Sequence, residues 1–227
     1  ISFANILFSV IVSYSGGVWI AITVAIPLMT LFASRKLFVM CVLVLAVGGG
    51  TLYSVSQNFK ERVQTIFQKD YTSNEVRRLL WKANMDMFQD HPWIGVGYRE
   101  NEQVVGEYIK KMNLPPNAPF LIGHAHNNYI QMLSTTGILG FGFYMLFCLS
   151  FLLMTARLYS TIPSTHYWHK VFALALLGAQ VAFHVGGLTE WNFGRGTTQH
   201  LYFFLLAMIA YMSQRYYAHI VPDDHSI

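Results

Sequence analysis

The chain has 227 residues, 54% of them hydrophobic and only 11% charged, with a mean hydropathy of +0.38. Soluble domains carry about 25% charged residues, so the deficit points to a membrane protein. The formal net charge of +4 is spread along the chain with no long basic run, which argues against nucleic acid as a partner.

The stretch from Ile1 to about Ser13 reads as the tail of a span cut by the start of the sequence. It has neither an initiator Met nor a charged region ahead of the apolar one, so it is no signal peptide, and further helices are expected before it. A bilayer crossing takes about 20 apolar residues. Such stretches follow near 18–34, 37–54, 137–157, 169–186 and 198–214. Cys41 and Cys148 fall inside them and read as small buried hydrophobes rather than a disulfide. Lys and Arg in short loops mark the cytoplasmic side. Arg35 and Lys36, Arg157 and Lys170, and Arg215 all fall on one side of this span count. The expected organisation is therefore N-terminal transmembrane helices over 1–54, an outer loop of short amphipathic helices over 55–123, C-terminal transmembrane helices over 124–215, and a cytoplasmic tail over 216–227. Residues 14–17 and 187–197 lie on the outer side with the long loop.

That loop is too long to be structureless in a compact protein. Phe59, Val63, Ile66 and Phe67 have helical spacing. Thr72-Ser-Asn-Glu75 fits a capping box that opens a second helix, whose apolar stripe is Val76, Leu79, Leu80, Ala83 and Met87. His91-Pro92 ends it. Val104, Val105, Tyr108, Ile109 and Met112 predict a third helix, and NLPPNAPF is extended or turn-like. On the second helix Arg77 falls at the edge of the stripe, on a side shared with Trp81, Asn84 and Phe88, while Arg78 lies nearly opposite, toward water or lipid headgroups.

The next feature is GHAHNNYIQMLSTTGILG, residues 123–140. His126 and Asn127 read as cap or first-turn residues of a helix that runs on into a span. Helix N-termini attract anions, and Gly137, Gly140 and Gly142 would let another helix approach closely. A histidine there suits a general base, a metal ligand, or a helix cap. No HExxH, paired Cys or Asp-x-Asp accompanies it in the outer segments, so no metal and no cofactor are expected. The last outer loop, GGLTEWNFGRGTTQH, holds Glu190, Trp191, Asn192 and Arg195. Trp191 reads as an interfacial anchor, and Arg195 as a headgroup contact or an anion ligand. Arg77 and Arg195 fall on the same side as the histidines. Arginine matches phosphate bidentately, so a lipid-linked phosphate donor suits this cluster.

At this point the residues resemble a known family. RRLLWKANMDMFQDHPWIGVG followed by HAHNNYIQMLSTTGILG is similar to the O-antigen ligase and O-antigen polymerase superfamily. Its signature places His-Asn nine residues before Gly-x-x-Gly, matched by His126-Asn127 and Gly137-Ile-Leu-Gly140. Its upstream pattern matches Arg77, Trp81, Pro92, Gly95 and Gly97, and GLTEWNFG resembles its last outer loop. The resemblance implies an all-α polytopic membrane protein, a GT-C-type helical bundle in the bacterial inner membrane with a large helical periplasmic loop between spans. It implies a metal-independent glycosyltransferase that uses an undecaprenyl-diphosphate-linked glycan donor. The acceptor would be lipid A-core, another glycan or a protein. Carried over, His126 is the general base with His124 supporting it. Arg77 is the diphosphate ligand; from their charge and side rather than from the family pattern, Arg195 and Arg78 are expected to join it. Asn127, Glu190, Gly137 and Gly140 support the site.

Two departures stand out. Family members often carry Ser-Arg-Gly where the early span meets the periplasm; here Gly16 stands at the expected Arg. They often have an acidic residue after the last loop's NFG; here it is Arg195, expected to replace part of the missing charge. A transporter of lipid-linked or small substrates is the competing class. It calls for ionisable residues inside the spans, and few are present. A metal-dependent hydrolase is a third.

Overall fold

A computed structural model describes residues 2–68, 72–114, 121 and 123–217. Among these residues the chain is all helical, in the order α1 (Phe3–Val12), α2 (Gly16–Ala33), α3 (Arg35–Val55), α4 (Gln57–Phe67), α5 (Thr72–Asp90), α6 (Asn101–Lys111), α7 (Asn128–Thr161), α8 (Tyr167–Gly186) and α9 (Gly196–Tyr217), with a 3-10 turn at Asn192–Gly194. Four helices, α2, α3, α7 and α8, are long and apolar enough to cross a membrane. The fifth expected span, α9, has 22 residues, but polar residues at both ends dilute its hydropathy. It nevertheless packs Tyr202, Leu206, Ile209 and Met212 into one core with Leu158, Ile162, Ala173 and Leu176. Of the two cysteines, both free, Cys148 is buried as expected and Cys41 only partly, because α3 buries no residue.

The loops expected to share a side meet at one end of the bundle. Arg62 Nε donates to the Tyr14 carbonyl (2.7 Å), and Asn128 N–H to the Gly187 carbonyl (2.7 Å). At the other end Tyr159 Oη donates to the Phe32 carbonyl (3.2 Å), and Arg157 stacks over Tyr217. Ser34 makes the turn that carries Arg35 and Lys36. Its extended backbone ends α2, and its hydroxyl accepts from Lys36 N–H to start α3.

The three amphipathic helices of the long loop form where periodicity places them. The α5 stripe packs Leu80, Ala83 and Met87 against Val105 and Tyr108 of α6. Thr72 is the first helical residue of α5 rather than its cap, so the capping box does not form as expected; the residue before it lies outside the described residues. Asn74 instead turns back and donates to the Thr65 (2.9 Å) and Gln68 (2.8 Å) carbonyls, closing the end of α4. Residues 115–120 of the NLPPNAPF stretch and the tail beyond Tyr217 lie outside the described residues.

The main departure is in α7. Gly137, at φ 62° and ψ −170°, breaks it into an arm over 128–136 and a longer arm over 138–161. That region of backbone space is open essentially to glycine alone. The break is sharp. The Tyr129 and Tyr144 rings stand 6.4 Å apart, although fifteen residues of straight helix would separate them by about 22 Å. The loop after α5 fills the gap. Val96 and Gly97 N–H donate to the Ser134 (3.0 Å) and Thr135 (2.9 Å) carbonyls, while Ile138 and Leu139 N–H donate to the Pro92 (2.8 Å) and Trp93 (3.3 Å) carbonyls. The Pro-x-x-Gly-x-Gly and Gly-x-x-Gly motifs are thus two halves of one interlock. A Cβ on Gly95 would overlap the Thr135 and Thr136 backbone, and one on Gly137 the Trp93 and Ile94 backbone. The expectation that these glycines admit a neighbouring helix is therefore corrected. Gly137 admits a loop, Gly140 is crowded by the side chain of Thr136, and Gly142 faces open space.

Candidate active site

The histidine loop is held by its backbone. Gly123 (φ 90°) and His126 (φ 48°) both adopt left-handed conformations, uncommon for a side chain larger than glycine. Between them Ala125 is fully buried. Its carbonyl accepts from Trp81 Nε1 (2.7 Å) and its N–H donates to Gln131 Oε1 (2.7 Å). The two flanking imidazoles lie with ring centroids 4.3 Å apart.

The two asparagines then seat α7 and the last loop together. Asn127 Oδ1 accepts from Tyr129 (2.9 Å) and Ile130 (3.0 Å) N–H, capping the helix, and its Nδ2 donates to the Leu188 carbonyl (2.8 Å). Asn128 Oδ1 accepts from Phe193 N–H (3.1 Å). These bonds bring Glu190 beside the histidines. Glu190 Oε1 accepts from Arg77 Nη2 at 2.9 Å, and Oε2 lies 3.4 Å from His126 Nδ1. The three side chains are 27%, 24% and 32% exposed for Glu190, Arg77 and His126. A carboxylate only accepts, so Nδ1 carries the imidazole proton. Nε2 is left as the basic nitrogen, with no hydrogen-bond partner among the described residues. The hydrogen bond from His126 holds the Glu190 carboxyl below its ordinary range. The charges of Arg77 and Arg195 add to this, against the opposing effect of burial.

His124 is different. Its Nδ1 accepts from His126 backbone N–H (3.2 Å), so its own proton sits on Nε2. Burial, reinforced by neighbouring His126, lowers its pKa from 6.5 to about 4. Its ring is therefore neutral at neutral pH, with Nε2–H available as a hydrogen-bond donor.

Behind the loop runs a chain of buried amides that the sequence reading does not contain. Gln131 Nε2 donates to Asn101 Oδ1, Asn101 Nδ2 to Asn84 Oδ1 (3.3 Å), and Ser134 Oγ to the same Asn84 oxygen (2.7 Å). All four residues are buried. They tie α5, α6 and the first arm of α7 to the backbone of Ala125. Polar residues at inward positions of amphipathic helices are the signal for such a network; Asn84, on the Arg77 side of α5, was its visible end.

Of the residues expected at the site, His124, His126, Asn127, Arg77 and Glu190 come together. Arg195, exposed at the start of α9, is near enough for its charge to act on Glu190 and His124. Arg78 is exposed and has no ion pair among the described residues; the structure does not bring it to the cluster. Gly137 belongs to the interlock, and Gly140 lies one turn beyond it against Thr136. Gly16, where an Arg was expected, starts α2, and Arg62 of α4 approaches it: a Cβ there would lie 3.6 Å from Arg62 Nη2. Trp191 is not an interfacial anchor. It is buried against Met132, Tyr144 and Cys148, its indole filling the space that Gly194 leaves open. Among the described residues no group of three His, Cys, Asp or Glu is placed to hold a metal ion.

Helices of membrane-spanning length and a polar cluster of histidine, carboxylate and arginine at one end of the bundle define an all-α polytopic membrane protein with a site at its loop end. The chain belongs to the O-antigen ligase family, whose model matches residues 1–145, more than half of its length. The match includes Arg77, the histidine motif and both halves of the interlock; Glu190 and Arg195 lie beyond it. No match is found among curated proteins. The family supports glycan transfer of the ligase or polymerase type, with a lipid-linked glycan and an acceptor as substrates in a membrane.

Proposed function

We propose that the chain, a bundle of the GT-C type, transfers a glycan from an undecaprenyl-diphosphate-linked donor to an acceptor hydroxyl, without a metal, at the periplasmic face of the bacterial inner membrane. The observation that carries this reading is the Arg77–Glu190–His126 bridge, which joins an anion-binding group and an oriented base through one carboxylate. The acceptor oxygen attacks the anomeric carbon while its proton passes to His126 Nε2. The bond from that carbon to the diphosphate oxygen breaks, and its electron pair leaves with the diphosphate. Glu190 stabilises the imidazolium that forms. Arg77 spends one N–H on Glu190 and, with Arg195, offers the rest to the departing charge. Neutral His124 donates from Nε2 to a substrate oxygen. A single displacement inverts the anomeric centre.

Product analysis tests this reading. The chain in membranes is given a defined lipid-linked donor with lipid A-core, glycan or peptide acceptors, and mass spectrometry reads which acceptor gains mass and by how many repeats. One transferred glycan on lipid A-core marks a ligase, serial addition a polymerase. A folded His126→Ala chain is expected to give no product. Normal product from it would overturn the base assignment.

A further inference from the structure

We propose that the loop from His91 to Tyr98 is seated at the boundary of the bilayer, with Trp93 and Ile94 among phospholipid acyl chains. Composition places this loop in a polar segment between spans, yet its tip is apolar and open: Trp93 is 68% and Ile94 74% exposed. The interlock fixes where that tip sits, because the Pro92 and Trp93 carbonyls bond to Ile138 and Leu139 N–H. From that point the longer arm of α7 presents Leu139, Phe143, Leu146, Leu149 and Leu153 outward, all exposed. The next charge along it is Arg157. The helix from Ile138 to Arg157 is about 30 Å long, the thickness of a hydrocarbon core. Gly137 therefore marks one boundary of that core and Arg157 the other, and Trp93 and Ile94 continue the lipid-facing stripe at its upper edge.

The backbone chemistry agrees. Non-helical chain is tolerated at membrane depth only where protein satisfies its polar groups. Here α7 bonds to the carbonyls of Pro92 and Trp93 and to the N–H groups of Val96 and Gly97, and Gly95 N–H bonds to the His91 carbonyl (3.0 Å). The N–H groups of Trp93 and Ile94 have no partner among the described residues, which holds the tip at the hydrated edge of the core rather than deeper in it. Pro92 has no N–H to satisfy. The tip is flanked by His91, Tyr98 and Arg99, with the Arg99 guanidinium over the Tyr98 ring. An apolar tip between amphipathic and charged shoulders is the pattern of an interfacial anchor. Since the loop continues directly from α5, the anchor sets the height of the helix that carries Arg77 and Trp81.

The test uses the full chain reconstituted in phospholipid vesicles. Subtracting the emission of a Trp93→Phe chain isolates the Trp93 signal. That signal is expected to be quenched by lipids brominated near the headgroup end of the acyl chain, less by lipids brominated near the methyl end, and to be shielded from aqueous iodide. Ile94→Cys in a Cys41→Ala background, with Cys148 buried, carries an environment-sensitive dye. Its emission is expected to shift to the blue on reconstitution. Quenching of Trp93 by iodide but not by brominated lipid would overturn the proposal. If Trp93→Phe does not fold, a dye at position 94 with water-like, iodide-accessible emission overturns it equally.

Discussion

Replacing Gly137 by alanine separates the interlock from every other reading of the glycine motif. An alanine at φ 62° is strained by about 1–3 kcal/mol. Its methyl would also occupy the space of the Trp93 and Ile94 backbone, which cannot yield as a flexible side chain would. Relief requires the loop to withdraw, losing the bonds from Val96, Gly97, Ile138 and Leu139, each contributing about 1 kcal/mol net. The four bonds and the strain together give an expected destabilisation of about 5–7 kcal/mol, among the largest single-residue effects known. Gly142→Ala is the internal control. A methyl there meets nothing, and alanine favours a helix over glycine by about 0.5–1 kcal/mol. Unfolding of the detergent-solubilised chain in SDS, followed by far-ultraviolet circular dichroism, compares the two. If Gly137→Ala unfolds within about 1 kcal/mol of the unchanged chain, or if Gly142→Ala is the more damaging, the interlock is not what holds α7 in its broken form.

Gln131→Leu leaves the Ala125 N–H and the Asn101 side-chain Oδ1 buried without partners. Stability is expected to fall by about 2–4 kcal/mol in the same unfolding assay. Glu190→Gln is expected to slow transfer at least about tenfold, since a neutral amide supports the imidazolium less well; steady-state rates on the defined donor measure this. Glu190 also has a pH signature. Its folded-state pKa is depressed, so its contribution to stability is fully present above its ordinary 4.5 and is lost as pH falls through the lower folded value. The melting-temperature difference between the unchanged chain and Glu190→Gln should accordingly narrow in acid. His124, lowered from 6.5 to about 4, refuses a proton that the unfolded chain accepts between those values, so it costs stability as pH drops through that window. Histidine-labelled NMR spectra should show the His124 imidazole, assigned by its loss in His124→Gln, still neutral near pH 5, and His124→Gln should flatten that part of the stability profile.

Much of the outer region was legible because amphipathic periodicity needs no long-range information. The stripe on α5 and the side shared by Arg77, Trp81 and Asn84 follow from about 100° per residue, and that side faces the histidine loop and the first arm of α7. The grouping of loops at one end followed from Lys and Arg placement. The break at Gly137 was not legible. A glycine in an apolar run is compatible with close helix packing as much as with a forbidden backbone angle, and what decides is a loop more than 40 residues upstream. The amide chain through Gln131, Asn101 and Asn84 depends on how three helices cross, which no local pattern encodes. Trp191 was misread because tryptophan at a loop often sits in the interface, whereas here Gly194 opens a slot for it. Arg78 faces outward, as the helical period places it, so the structure does not bring it beside Arg77 at Glu190.

The bonds made by Asn127 and Asn128 also say something about time. Their partners, Gly187, Leu188 and Phe193, follow them in the chain by about sixty residues, as does Glu190, which orients His126. A chain growing from the ribosome has both histidines in place before the carboxylate that aims one of them has been made. The base proposed at His126 is therefore assembled only once the loop after α8 has emerged, and a chain cut short before that loop carries the histidine motif without the carboxylate that hydrogen-bonds it.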